Sequence, residues 1–127
     1  MKMPPITDFE RPCTPRPDMP QIDEADLLPL LVFLAGHNVN VEATEMDTAQ
    51  LVFHQKVYPD RIPPPRSAEL RKPLLVAADG YILDGNHRAA AHRRDGTRPI
   101  VFRLDRSFLE AIAALFRFPR TYVYERP

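Results

Sequence analysis

Residues 72–105, KPLLVAADGYILDGNHRAAAHRRDGTRPIVFRLD, decide how this chain is read. The apolar run Leu74-Leu75-Val76-Ala77-Ala78 meets Asp79-Gly80, and an Asp-Gly pair between two apolar runs signals a hairpin. Strands are therefore expected over 73–78 and 81–83. Asp84-Gly85-Asn86-His87-Arg88 then leads into Ala89-Ala90-Ala91-His92-Arg93-Arg94, an Ala- and Arg-rich run that favours helix. The spacing predicts a helix from Asn86 to Asp95, closed by Gly96, and a third strand over 99–104. A glycine between strand and helix lets backbone N–H groups converge on an anion. Asn, His and Arg at that helix mouth add side chains suited to phosphate or another oxyanion.

Upstream, Ser67-Ala68-Glu69-Leu70 reads as one helical turn, and residues 58–65 as a rigid connector whose three consecutive prolines exclude a central strand. Asp47-Thr48 can cap a short helix through Leu51, Val52 and Phe53, with a strand as the open alternative. A first helix is expected over 23–36. Asp23, Glu24 and Asp26 suit its N-terminus, Pro29 its first turn and Gly36 its stop. Leu30 to Leu34 are apolar on all sides, so this helix should be buried or self-associate. Val39 and Val41 mark a short strand. Downstream, Ser107-Phe108-Leu109-Glu110 has the form of a capping box for a helix to about Phe116. Pro119 ends that helix, its buried face carrying Ala111, Ile112, Leu115 and Phe116, and Tyr122-Val123-Tyr124 suit an edge strand.

The pattern predicts an α+β class: one small domain over 23–127, a mixed sheet with helices, preceded by a Pro-rich extended arm over 1–22. Seven of the 15 prolines fall in the first thirty residues, where they remove donors and restrict their neighbours. The length of 127 residues fits a single domain. No apolar run reaches the length of a membrane span, so no membrane partner is expected. Met1-Lys2-Met3-Pro4-Pro5 lacks the apolar core of a signal peptide. Cys13 is the single cysteine, which rules out an internal disulfide and fits a reducing cytoplasm. Net charge is zero but unevenly spread: residues 1–60 carry 10 acidic and 4 basic side chains, residues 61–127 carry 7 and 13. The second half can attract anions; the neutral total argues against tight nonspecific DNA binding.

The order strand, Asp-Gly turn, strand, small G-x-x-R box, Ala-rich helix, glycine, strand resembles the ParB/sulfiredoxin superfamily. The resemblance covers about a quarter of the chain (Lys72 to Asp105), with a weaker extension over Leu51 to Ile62 that includes Gln55. It implies a small α+β domain whose box helix binds a nucleotide phosphate. Sulfiredoxin has G-C-H-R, with cysteine as the attacking group; here that position is Asn86, which has no thiolate. Partitioning ParB proteins have G-E-R-R and use the glutamate; Asn86 removes that carboxylate too. No helix-turn-helix domain accompanies the box. Free-serine kinases of the superfamily carry a box similar to D-G-H-H-R. Small, often phage-encoded relatives with D-G-N-H-R are grouped as ParB-like nucleases.

The function implied is binding of a nucleotide or nucleic-acid phosphate at Asp84–Arg88, with phosphodiester or nucleotide hydrolysis aided by Mg2+ brought with the nucleotide. Gly85 would admit the phosphate, or be a turn glycine. Asn86 would donate to it, or cap the helix. Arg88 would offer a planar fork, or pair with Asp84 or Glu69. His87 is the candidate for proton transfer, against a structural, hydrogen-bonded histidine. Asp84 would accept a proton, reach a metal through the phosphate or orient His87, against a purely structural role. His92 would extend the anion site, against a solvated position. Arg93 and Arg94 face solvent or a polyanion. The four histidines and one cysteine make no zinc spacing. Two alternatives stay open. One is a non-catalytic binding or assembly module, associating through the Leu30–Leu34 helix or the N-terminal arm; the other is a small-molecule kinase of the free-serine type.

Overall fold

The computed structural model describes residues 19–123. The arm over 1–18, Cys13 and Tyr124 lie outside that range. Three helices, α1 (Leu27–Gly36), α2 (Asn86–Asp95) and α3 (Phe108–Arg117), pack on four strands, β1 (Val41–Glu45), β2 (Leu74–Val76), β3 (Ile82–Asp84) and β4 (Ile100–Leu104). The sheet order is β1-β4-β2-β3. β1 runs antiparallel to β4, β4 parallel to β2, and β2 antiparallel to β3. The fold is thus the small α+β domain with a mixed sheet that the alternating pattern predicts.

Strand periodicity divides the core. Successive side chains point to opposite faces of a sheet. Leu75, Leu83 and Leu104 pack with Leu30 and Leu34 of α1 and Ala111 and Leu115 of α3. Leu74, Val76, Ile82 and Val101 pack on the other face with Ala89 of α2 and with Leu51, Phe53 and Val57. The sheet is therefore sandwiched between an α1/α3 layer and an α2 layer. β2 is buried on both faces, which explains its unbroken Leu-Leu-Val run.

Several local expectations shift. Gly36 is the last residue of α1, not its stop; Asn38 takes the left-handed conformation at φ 62°, and the Val39 N–H returns to the Leu34 carbonyl at 2.9 Å. Asparagine tolerates that region, so it replaces glycine. α1 is not buried all round: Leu30 and Leu34 are buried, while Leu28 and Val32 face outward. Leu30 and Leu34 are thus unavailable as an assembly surface. Asp47 and Gln50 form a capping box around a 3-10 turn, Thr48–Gln50, after which Val52 bridges Tyr81 in parallel, so the helical and strand readings each hold for part of the segment. Ser107 does not cap α3 with its side chain. Asp79 of the hairpin turn accepts the Phe108 N–H at 3.0 Å instead, and Ser107 donates to Glu110 at 3.0 Å. Phe116, expected on the buried face of α3, is 44% exposed. Tyr122 makes an antiparallel bridge to Gln21, and Tyr124 of the expected edge strand lies outside the described residues. Residues 19–22, read with the arm, pack on the body: Met19 is fully buried.

Candidate functional site

The β3–α2 junction turns on Gly85, at φ 100° in the left-handed region. A side chain there would also overlap Leu74 and crowd Arg88. Gly85, not Asn86, is the N-cap residue, and no side chain caps α2. The first-turn N–H groups of Asn86, His87 and Arg88 have no partner within the helix. They carry the positive end of the helix dipole toward the mouth.

The box side chains tie α2 to passing backbone. Asn86 Nδ2 donates to the Lys56 carbonyl at 3.1 Å. His87 Nε2 accepts the Tyr58 N–H at 3.0 Å, and the two rings stack with centroids 6.2 Å apart. Arg61 lies 4.8 Å above the Tyr58 ring. The segment Lys56–Tyr58 is therefore strapped across one side of the mouth. Arg88 Nη2 donates to the Pro73 carbonyl at 3.0 Å and lies 3.7 Å from Asp84 Oδ2. Its Nε–H is buried with no hydrogen-bond partner among the described residues.

His92 joins neither an anion site nor solvent. It is buried, with Nε2 donating to the Leu70 carbonyl at 3.2 Å and Nδ1 paired with the Thr97 hydroxyl at 2.7 Å. A carbonyl can only accept, so Nε2 carries a proton. Its place four residues after Arg88 puts it under the 68–71 turn, because α2 packs its polar face against that connector. Arg93 and Arg94, though exposed, are held by the protein. Arg93 lies 4.1 Å over the Phe53 ring and donates to Thr48, and Arg94 pairs with Asp95 and donates to Pro63.

Asp84 and Arg88 open into a groove on the other side of the mouth, completed by Lys72, Asp23, Glu24 and Tyr122. Lys72 is paired with Glu24 at 3.0 Å and Glu69 at 2.8 Å, and those two carboxylates raise its pKa; Tyr122 donates to Asp23 at 2.9 Å. The groove holds about 150 Å³. That accommodates a phosphate group but not a whole nucleotide, whose sites run to about 300 Å³ or more. Lys72 is a groove cation that the box pattern does not flag; its position directly before the strand expected over 73–78 is the available signal. Among the described residues no cluster of three or more His, Cys, Asp or Glu could hold a metal ion, and no helix is long and apolar enough to cross a membrane.

A second histidine carries a perturbation. His54 is buried against Phe108 and Tyr81, and its Nε2 donates to the Ile82 carbonyl at 2.5 Å. Burial lowers its pKa from the ordinary 6.5, outweighing the opposing effect of the Ile82 bond. It is buried and does not line the groove.

Comparison of the chain with protein-family models, with curated proteins and with solved structures gives no match.

Proposed function

We propose that this chain is a ParB/sulfiredoxin-like domain that binds the phosphate of a nucleotide or nucleic acid at the mouth of α2. The observation that carries the reading is Arg88. Its guanidinium lines the groove beside Asp84, and its Nε–H is buried with no partner among the described residues. A phosphate in the groove would accept charge-assisted hydrogen bonds from the Arg88 guanidinium and the Lys72 ammonium. The groove also carries Asp23, Glu24 and Asp84, so an anion enters most favourably with a divalent cation. Asp84, 3.7 Å from Arg88, is the carboxylate that would meet a Mg2+ carried by the nucleotide, whose phosphates would supply the other oxygens.

A hydrolytic step is the second reading, favoured by Asp84 lining the groove 3.7 Å from Arg88. There Asp84 would accept the proton of an attacking water while Arg88 stabilises the developing charge. His87 serves this step only after the Tyr58 strap opens, because Nε2 already accepts a backbone proton. Binding is thus the primary proposal and hydrolysis its extension. Phosphate transfer to a small hydroxyl compound is the remaining outcome to assay.

The test is amide NMR with added nucleoside triphosphate and Mg2+. The reading expects shifts centred on Asn86, His87 and Arg88. Unmoved amides at those positions, with any shifts elsewhere, would contradict it.

A further inference from the structure

The outward face of α3 is apolar. Leu109 is 76% and Phe116 44% exposed, and Ala113 lies exposed between them. These three recur at helical spacing opposite the buried Ala111 and Leu115. On α1, which shares the same core cluster, Leu28 and Val32 are 73% and 74% exposed, opposite the buried Leu30 and Leu34. The α3 stripe alone presents on the order of 300 Å² of apolar side chain, the size of a typical monomer's largest patch.

The charges beside the α3 stripe are arranged symmetrically. Glu110 and Arg117, both exposed, lie seven residues apart on one flank, equally displaced from Ala113–Ala114. A two-fold axis that reverses helix direction keeps each flank on its own side. It therefore sets Glu110 of one copy level with Arg117 of the other, twice. The same operation sets the small Ala113 of one copy level with Ala114 of the other, where backbones can approach closely, with Leu109 and Phe116 on either side.

We infer that the chain forms a symmetric dimer through α3, packed antiparallel about Ala113 and flanked by reciprocal Glu110–Arg117 ion pairs. A face that complements itself under a two-fold is the requirement of an isologous interface. The α3 stripe would form the apolar centre of an interface of standard size, about 800 Å² per partner, with its charged flanks as the rim. The charged flank supplies register more than affinity.

Sedimentation equilibrium of the full chain from micromolar to millimolar concentration tests this. A dimer is expected. Glu110→Arg and Arg117→Glu should each weaken it about tenfold by setting like charges opposite one another. The double reversal should restore wild-type association. Both positions are exposed, so circular dichroism should show unchanged folds. A monomer at every concentration overturns the inference and points to cover of the stripe by another part of the same chain. A dimer indifferent to the single reversals, or a double variant no tighter than the singles, overturns it as well.

Discussion

His87 Nε2 accepts the backbone N–H of Tyr58 at 3.0 Å, joining the mouth of α2 to a segment 29 residues earlier. With Asn86 on Lys56, this bond makes the box a clamp as well as a candidate binding site. Removing the ring leaves a partly buried N–H without its acceptor. His87→Ala should therefore cost about 1–2 kcal/mol in urea unfolding. An unchanged midpoint would show that the clamp contributes nothing.

Gly85 and Gly36 make a paired test of backbone. Gly85→Ala forces a side chain into the left-handed region and onto Leu74. Strain alone costs about 1–3 kcal/mol, and the overlap adds to it. At Gly36 an added Cβ meets nothing within 4 Å, so Gly36→Ala should stabilise by about 0.5–1 kcal/mol. Thermal melts of both variants should move in opposite directions.

Asp79 caps a helix that starts 29 residues later. Asp79→Ala should destabilise by about 1 kcal/mol, the usual worth of a cap. Ser107→Ala should cost less, since the Ser107 side chain bonds Glu110 rather than the helix backbone.

His54 gives stability a pH dependence. Its pKa is lowered in the fold by burial, so between that lowered value and 6.5 the unfolded chain binds more protons than the folded one. The contribution is fully present above pH 6.5 and is lost as pH falls through the window below it. The Tm of the wild type should drop as pH falls below 6.5, more steeply than that of His54→Gln, which keeps an N–H for Ile82 but does not titrate. Parallel curves would remove His54 as the cause.

The hairpin, the α2 span and its Gly96 stop were legible because Asp-Gly, the alanine run and the closing glycine act locally. Gly96 does adopt the left-handed cap, at φ 67°. The exposed half of α1 was not legible: uniform apolarity carries no direction, and only the sheet on one side assigns Leu30 inward and Leu28 outward. The partners of Asn86, His87 and His92 were hidden for a related reason. Each bonds a backbone atom in or beside the proline-rich connector, and carbonyls and amides look alike in every sequence. Residue type marked these side chains as polar and special; long-range folding decided what they hold.

The central claim is phosphate recognition by Arg88 at the α2 mouth, and calorimetric titration tests it most directly. Wild type and Arg88→Ala would be titrated with each common nucleoside triphosphate and a short DNA oligonucleotide, with Mg2+. The account predicts saturable binding of at least one ligand by the wild type, weakened at least about tenfold in Arg88→Ala, as loss of a charge-assisted contact requires. No binding by the wild type, or equal affinity in the two proteins, would contradict it.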